Sequence, residues 1–449
     1  MEKDRGRLLA LCTVQFVDVM GVTVVVSALP RMLADLGGSA AQAGLLVPVY
    51  AVGFSSLLLL SARLGDRLGH RRVLVMGLVL FAVGSAVAAA APVMAMLVAG
   101  RAIQGAAAAV TVPNALVLLT RVAETQAARD RALGAWNACG GLAGATGLLV
   151  GGLTTSAVSW RAIFWGNLAV ATVLIAVLLR LVERDRPNRA ASAFDLRSVM
   201  LQVVSVGAIV AAANTAARAW ALPAALVLVG VLATVWLVVH ERRTTSPLVP
   251  VGLWRPPFVA GLIGSFGVTA TTSSLVVVGT LYLQQAEGFS PAAAGLLILP
   301  FSISVVIAAG LAGRLMPLVG ARRVVTLGFL LIGGGAIMAF VWSTTAALLI
   351  GLTLAGLGNG AGAVAAYELG TAVPVEEQGS AAGLLNTAAQ VGTATMVAVT
   401  ISVAGRGDVI DYRAGWLTVA LTAVAVSIGA RTVSSTSRSG SPHRGSRSC

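Results

Sequence analysis

Long apolar runs alternate with short polar loops along most of the chain, and fourteen apolar segments can be distinguished. Each has roughly the length, 17 to 25 residues, at which a helix crosses the hydrocarbon core of a bilayer. The segments lie at 8–30, 44–62, 73–91, 93–119, 133–153, 162–182, 199–216, 221–239, 258–283, 292–313, 324–342, 345–366, 380–403 and 414–430. This pattern predicts an all-α polytopic membrane protein with fourteen transmembrane helices.

A polar hairpin lies between the second and third apolar segments, and a degenerate copy of it occurs later in the chain. The first copy is RLGDRLGHRR at 63–72, and the second is RLMPLVGARR at 314–323. The same offset relates Gly77 to Gly328. An internal repeat of membrane segments is typical of two-fold transporters.

The repeat divides the chain into two homologous halves in parallel orientation. The first six and the last six segments correspond, and the seventh and eighth form an inserted pair. We therefore predict an N-terminal six-helix bundle at 1–190, two linker helices at 191–245, a C-terminal six-helix bundle at 246–431 and a disordered basic tail at 432–449.

The composition supports a membrane protein and indicates its orientation. Hydrophobic residues make up 57% of the chain and charged residues only 11%, against about 25% charged residues in soluble domains. With the N-terminus in the cytoplasm, most of the 31 lysines and arginines fall on the inner side, as the positive-inside rule requires. We expect a multi-pass protein of the plasma (inner) membrane with both termini cytoplasmic. The net charge of +14 lies in loops, so nucleic-acid binding is not indicated.

Motifs of the common enzyme and metal sites are missing from the sequence. It holds no HExxH motif, no G-x-S-x-G elbow and no Walker loop. Its three cysteines have no paired spacing, and its three histidines, His70, His240 and His443, fall in loops or tails. We therefore expect neither catalysis nor a metal or organic cofactor, and transport would have to use an ion gradient.

The first hairpin is a candidate conformational latch, made of Asp66, Arg67, Gly69, Arg71 and Arg72. Gly69 permits a tight turn, and Asp66 is placed to cap the first amides of the third helix. The arginines would hold the loop at the anionic face of the membrane. An ordinary positively charged loop is the alternative. The second copy lacks the Asp-Arg pair, so we expect the latch in the first half alone.

Three charged residues within apolar segments are candidates for proton coupling: Asp18, Arg101 and Glu368. A charge inside a span costs at least ~2.5 kcal/mol and persists only with partners or water. Arg101 shares a helix face with Gln104, and snorkelling to the interface is the alternative. Asp18 lies well inside the first segment, where a carboxyl group can exchange a proton. Glu368 lies near the inner end of the twelfth segment, where facing water is the alternative.

Several amide side chains are candidates for lining a substrate cavity, with hydrogen bonding between helices as the alternative. They are Gln104, Asn114, Asn137, Asn386 and Gln390. The fifth segment carries a stripe of glycines on one face, which permits very close helix packing. The stripe consists of Gly140, Gly144, Gly147 and Gly151. We expect it to form a sliding contact between the two halves.

Five stretches of the sequence resemble signatures of the major facilitator superfamily, in particular of its fourteen-helix drug:proton antiporter branch. RLGDRLGHRR and RAIQGAAAA look like the loop 2–3 and fourth-helix signatures of the superfamily. HERRTTSPLVPVGLWRPPF, LYLQQAEGFSPAAAGLLILP and EEQGSAAGLLNTAAQVG are similar to stretches specific to the branch. The chain departs from the pattern twice. Leu148 replaces the proline of the antiporter signature, and the first-helix acid is Asp18, one turn before Gly21, where the branch would place it.

The resemblance implies the major facilitator fold, with two six-helix bundles and two extra linker helices, working by alternating access. It also implies proton-driven efflux of small amphipathic or cationic compounds, such as drugs and antibiotics, across the bacterial plasma membrane. The partners would be the lipid bilayer, the small-molecule substrate and protons, and we expect a monomer. Export of one endogenous metabolite, such as a self-made antibiotic, is one alternative, and a transporter-like membrane sensor is another.

Overall fold

The computed structural model describes residues 2–38, 40–122, 125–183, 185, 196–215, 221–244, 251–405 and 410–435. Within these ranges the α-helices are α1 (Glu2–Asp35), α2 (Ala40–Leu68), α3 (His70–Ala89), α4 (Met94–Val122), α5 (Gln126–Ala157), α6 (Trp160–Leu181), α7 (Leu196–Thr215), α8 (Ala221–Arg243), α9 (Pro256–Leu281), α10 (Pro291–Val319), α11 (Ala321–Trp342), α12 (Thr345–Thr371), α13 (Val375–Ala404) and α14 (Tyr412–Ser435). A short 3-10 turn precedes α9, and a π-helical segment, Tyr282–Ala286, follows it. The all-α prediction is confirmed for the described residues.

Among the described helices, eleven are long and apolar enough to cross a membrane. The other three, α2, α5 and α7, carry shorter apolar stretches, at Leu45–Leu58, Leu142–Ala157 and Arg197–Ala212. The prediction of a multi-pass membrane protein is therefore confirmed, while the count of fourteen spans stays a prediction. Helix α14 continues to Ser435, past the predicted start of the tail, and residues 436–449 lie outside the described residues.

The two halves repeat the same helix packing. In the first half α1 packs on α5, and α4 packs on α2 and α3; in the second half α9 packs on α13, and α12 packs on α10 and α11. One detail recurs as well, because the Thr23 hydroxyl contacts the Ala143 carbonyl at 3.5 Å and the Thr269 hydroxyl contacts the Ala389 carbonyl at 2.6 Å. The repeat read from the sequence thus corresponds to a repeat of contacts.

Tight turns and hydroxyl caps set where several helices begin. Gly69 and Gly320 have φ of +93° and +85°, which glycine adopts without strain, and each immediately precedes a helix, α3 or α11. The side chains of Thr125, Ser290 and Thr344 each accept a hydrogen bond from a backbone amide in the first turn of α5, α10 and α12. Short connections therefore separate the helices at these points. We call the end where α2 meets α3 the hairpin end, and the opposite end the far end.

Helix α7 of the inserted pair lies against both halves, and α8 packs on α7. Helix α7 packs on α2 of the first half and on α13 of the second half. The Gln202 side-chain amide donates to the Ser55 carbonyl at 2.8 Å, and the Ser198 hydroxyl donates to Glu241 at 2.6 Å, which ties α7 to α2 and to α8. Helix α7 therefore bridges the seam between the halves.

Candidate functional site

A buried polar cluster in the first half joins Asp18 of α1, Tyr50 of α2 and Arg101 of α4. The Tyr50 hydroxyl donates to the Asp18 carboxylate at 2.6 Å. The Arg101 guanidinium lies over the ring of Tyr50, 4.5 Å from its centroid, a cation–π geometry that is strong in a dry site. Asp18 is 8% exposed and Arg101 is fully buried. The Tyr50 side chain thus contacts both the Asp18 carboxylate and the Arg101 guanidinium.

Arg101 has further partners that anchor it inside the helix bundle. Its Nη1 donates to the Gly21 carbonyl at 3.0 Å and to the Gln104 side chain at 2.9 Å. The Gln104 amide donates in turn to the Ser85 hydroxyl at 2.9 Å. The snorkelling alternative for Arg101 does not hold, because its charge is directed into the protein. Gln104 is a member of this fully buried network and lies away from a cavity wall, because Ser85 and Arg101 take up its amide group.

Close approach of α2 and α4 makes the cluster possible. A Cβ atom at Gly105 would lie 2.1 Å from the Tyr50 carbonyl, so only glycine leaves room for α2 at this level. Gly105 therefore brings the Tyr50 backbone against the helix that carries Arg101. Gly105 thus has a direct role in placing the site.

A central cavity of about 230 Å³ lies between the halves, one turn further along α1 from Asp18. The first half contributes residues of α1, α2 and α5, among them Val22, Thr23 and Gly144. The second half contributes residues of α9, α10, α12 and α13, among them Thr272 and Asn359. Because Val22 follows Asp18 by four residues, the acid lies on the same face of α1, next to the cavity.

A second cavity of about 650 Å³ lies between the halves at the hairpin end. Its lining includes Arg63 and Asp66 of the hairpin and Tyr367 and Asn386 of the second half. Asn386 is thus placed on a cavity wall. Charged side chains thus line the cavity at the hairpin end, whereas the central cavity has none among its lining residues.

The two halves meet tightly at the far end. A Cβ at Gly152 of α5 would lie 2.2 Å from the Pro291 carbonyl of α10, and one at Gly295 of α10 would lie 2.7 Å from the Leu148 carbonyl. The Gln284 amide, in the π-helical segment, donates to the Ser27 carbonyl of α1 at 2.8 Å. The structure is therefore closed at the far end and has its larger cavity at the hairpin end.

The glycine stripe of α5 does not form the contact between halves that its spacing suggested. Gly147 and Gly151 face Thr23 and Ser27 of α1, within the first half, and a Cβ at either position would clash there. Gly140 and Gly144 line the central cavity. The contact with α10 uses the adjacent helix face, where Gly152 lies, because α1 occupies the face that carries the stripe.

The hairpin is built around His70, which is almost fully buried. Its Nδ1 lies 2.8 Å from the Asn114 side-chain oxygen, and its Nε2 lies 3.1 Å from Asp66. Asn114 also donates to the Ser61 carbonyl at 3.3 Å. Asn114 is therefore held between helices and lies away from a cavity wall. Gly65 leaves the space for this packing, since a Cβ there would lie 1.9 Å from the Asn114 oxygen.

The acid that caps α3 is Asp185, not Asp66 as the sequence suggested. The Asp185 carboxylate accepts from the His70 amide at 2.5 Å and from the Arg71 amide at 3.1 Å. Asp66 lies in the last turn of α2, so its side chain reaches the His70 ring instead. Asp185 also lies 3.5 Å from Arg121. The segment after α6 is thereby fastened to the hairpin.

Loss of this cap is expected to destabilise the first half. Asp185→Ala should lower the free energy of unfolding by about 1 to 2 kcal/mol, because two helix amides lose their acceptor. The measurement is the thermal unfolding midpoint of the purified protein in lipid nanodiscs. Asp66→Ala removes a carboxylate that caps no amide and is the matched control. Equal losses in the two variants would contradict the assignment of the cap.

The remaining sequence candidates fall outside the Asp18 cluster. Arg67 and Arg72 are exposed at the hairpin, and Arg71 donates to the Leu179 carbonyl at 2.6 Å. Glu368 is exposed near the hairpin end of α12, and Gln390 is half-buried on α13. The side chain of Asn137 lies outside the described residues. The structure therefore brings Asp18 and Arg101 into one cluster and leaves Glu368 apart from it.

Three residues of the site were not singled out in the sequence: Tyr50, Asp185 and Asn359. Tyr50 is a single aromatic residue in an apolar run, and Asp185 lies in a charged loop among other charges. Asn359 does carry a signal, because it is an amide within the apolar twelfth segment, in GLGNGAG. The same criterion that selected Asn386 would have found it.

Comparison with known sequences gives matches along the chain. The sequence model of the Major Facilitator Superfamily matches residues 11–266 and 261–447. The puromycin resistance protein pur8 of Streptomyces alboniger is 34% identical, over 87% of this chain and 80% of that protein. The cephamycin export protein CmcT of Amycolatopsis lactamdurans is 33% identical, over 89% and 85% of the two chains. The multidrug resistance protein Stp of Mycobacterium tuberculosis is 31% identical, over 90% and 74%.

Solved structures share the fold at low sequence identity. The nucleoside transporter NupG superposes with a TM-score of 0.68 at 12% identity, over 95% of this chain and 99% of that one. The human organic anion transporter MFSD10 superposes with a TM-score of 0.66 at 17% identity, again over 95% and 99%. These similarities show that the overall fold is shared.

Proposed function

The chain belongs to the Major Facilitator Superfamily, and from that premise we propose that it exports small amphipathic compounds by alternating access, driven by proton entry. The observation that carries the proposal is the Asp18–Tyr50–Arg101 cluster, which lies beside a cavity between two homologous halves. An exchangeable carboxyl group at that position links a proton to the helix that lines the cavity. The membrane would be the bacterial plasma membrane, with the hairpin end in the cytoplasm.

Asp18 exchanges the proton in this mechanism. The ionised carboxylate accepts the hydrogen of Tyr50, whose ring lies under the Arg101 cation, so the two charges compensate one another. Protonation removes the negative charge and leaves the buried Arg101 cation without a counter-charge, which is unfavourable in a dry interior. The cluster therefore favours different arrangements of α1 before and after protonation.

Helix α1 transmits that change to the cavity and to the closed end. Val22 and Thr23 line the central cavity, and Ser27, one turn further, accepts the hydrogen bond from Gln284 of the second half. A displacement of α1 thus acts on the substrate site and on the far-end contact together. The conformation with its larger cavity at the hairpin end would be the one that loads substrate from the cytoplasm.

The hairpin acts as a latch in the opposite conformation. Here the hydrogen bonds of Asp66, His70 and Arg71 stay within the first half, and Asp66 lines the open cavity at the hairpin end. When the two halves approach at that end, Asp66 and Arg67 would meet the second half. The pair would then hold the cytoplasmic side closed while substrate leaves on the other side.

Relatives named for a single antibiotic favour a second candidate function, dedicated export of one metabolite. Pur8 is named for puromycin resistance and CmcT for cephamycin export, whereas Stp is named for multidrug resistance. Both candidates use the same site and the same proton coupling. They differ in how many compounds are exported.

A resistance and accumulation panel tests the function and separates the two candidates. The chain is expressed in an efflux-deficient bacterial host, and intracellular accumulation of many antibiotics and dyes is measured with and without a protonophore. We expect lowered accumulation of several compounds, restored when the protonophore collapses the gradient. Lowered accumulation of one compound alone would support the dedicated exporter. Unchanged accumulation of every compound would contradict proton-driven export.

A further inference from the structure

The central cavity is largely apolar, with a few polar side chains and no charged one among its lining residues. Its polar lining residues are Thr23, Thr272, Ser273, Ser302, Asn359 and Thr393, and its other lining residues are glycine or apolar. Ligand sites of this composition bind the apolar body of a molecule by burial and orient it through a few hydrogen bonds. Whether the lining side chains donate or accept hydrogen bonds therefore decides which ligands the cavity binds.

Most of the hydroxyl hydrogens in the cavity are already used. The Thr272 hydroxyl donates to the Val268 carbonyl at 2.6 Å, and the Thr23 hydroxyl is within reach of the Val19 carbonyl at 3.3 Å. The Ser273 and Thr393 hydroxyls lie 3.2 Å apart and share one hydrogen bond. A hydroxyl whose hydrogen is committed still has a lone pair to offer. These side chains therefore present hydrogen-bond acceptors to a ligand.

Asn359 adds a carboxamide to the hydroxyls that still hold a hydrogen, those of Ser302 and of one member of the Ser273–Thr393 pair. It is half-buried on α12, lines the cavity, and makes no hydrogen bond with any residue that the structure describes. A carboxamide has two donor hydrogens and one acceptor oxygen. Asn359 can therefore pair with a hydroxyl or an amide of a ligand in either direction.

A cationic ligand finds no counter-charge in this cavity. The nearest acid along α1 is Asp18, which lies one turn away and is bonded to Tyr50. Once Asp18 is protonated, the remaining charge of the cluster is the Arg101 cation, which repels another cation. A buried charge without a partner is strongly disfavoured, whereas a neutral hydrogen-bonding group is tolerated.

We propose that the central cavity selects uncharged amphipathic molecules that carry hydroxyl or amide groups, and that it rejects permanent cations, with Asn359 as the residue that determines this specificity. The inference rests on the proposed export function and narrows its substrate class. Under this proposal, substrate recognition takes place in the uncharged central cavity. The charged residues Arg63 and Asp66 line the cavity at the hairpin end, through which the substrate enters.

Uptake into inverted membrane vesicles tests the proposal. Two sets of probes are compared, one of uncharged amphipathic alcohols and amides with chloramphenicol as the reference, and one of permanent cations with tetraphenylphosphonium as the reference. We expect wild-type protein to accumulate members of the uncharged set in a protonophore-sensitive manner, and the cations at background. Equal accumulation of both sets would overturn the inference and leave the proposed function standing. Background accumulation of both sets would overturn the proposed function as well.

A charge introduced at Asn359 should change the selectivity. Asn359→Asp is expected to raise tetraphenylphosphonium binding to the purified full chain by about tenfold, because the cavity gains a counter-charge. Equilibrium dialysis in nanodiscs measures this binding without requiring transport. Gln378→Glu adds the same charge at an exposed position of α13 and is the matched control. Unchanged cation binding in a folded Asn359→Asp protein, or an equal gain in the control, would overturn the assignment of Asn359.

Discussion

Asp18→Asn is expected to abolish proton-driven export while the protein remains folded in the membrane. Asparagine has nearly the shape of aspartate and its side-chain oxygen still accepts from Tyr50, but it cannot exchange a proton. Export should fall to less than about one tenth of the wild-type rate, a change of at least ~1.4 kcal/mol in the barrier. Vesicle uptake driven by an imposed pH gradient measures the rate.

A second aspartate offers the matched control for this substitution. Asp411 is exposed at the far end, where its side chain accepts from the Ala414 amide at 3.1 Å. Asparagine also serves as a cap, so Asp411→Asn should leave export unchanged. Substrate binding to purified Asp18→Asn protein should persist, which separates a coupling defect from misfolding. Full gradient-driven export by this variant would remove Asp18 from the mechanism.

Gly152→Ala is expected to weaken closure of the far end and thereby impair transport. The added Cβ would lie 2.2 Å from the Pro291 carbonyl and 3.0 Å from the Ala292 Cα. Both neighbours are backbone atoms, so α5 and α10 must separate. Overpacking of this kind costs about 1 to 3 kcal/mol, which changes the ratio of closed to open molecules by about 5- to 150-fold.

Accessibility of the central cavity from outside the cell measures this shift. A cysteine at Val277, in a chain with its native cysteines replaced by serine, should react at least about fivefold faster with an impermeant maleimide when Gly152→Ala is present. Gly134→Ala is the matched control on the same helix, because a Cβ there meets nothing within 4 Å and Gly134 does not line the central cavity. Equal labelling rates in the two variants would show that the α5–α10 contact does not close the far end.

Leu148, which replaces the proline of the antiporter signature, lies in the same contact between α5 and α10. Helix α5 runs without interruption through this position, and the Leu148 carbonyl lies against Gly295 of α10. Leu148 also lines the central cavity. The close approach of the halves is therefore achieved by glycines on both helices, Gly152 and Gly295, without a proline at this point of α5.

Much of the fold could be predicted from the sequence, because it follows from local and repeated features. Apolar runs of this length predict membrane-spanning helices, since a helix satisfies its backbone hydrogen bonds within one segment and needs about 20 apolar residues to cross a bilayer. Gly69 and Gly320 mark the two equivalent turns, because their positive φ suits glycine. Arg101 and Asp18 stood out for a similar reason, since charges in apolar segments are costly and need partners.

The partners of those charges were decided by the tertiary structure. Tyr50 became part of the site only because Gly105 lets α2 approach α4, and a tyrosine in an apolar run carries no sign of that contact. Asp185 caps α3 from 115 positions away from His70, and no local pattern distinguishes it from the nearer Asp66.

The sequence by itself therefore determined that this chain is a two-fold helical membrane protein with a few costly charges inside it. The tertiary structure alone decided which amides bond to neighbours and which line cavities, which glycine face meets the other half, and which end is closed. The physical reason is that helix periodicity and the cost of burying charge act within one segment. Pairing between segments depends instead on the distance and orientation of helices that are far apart in the chain.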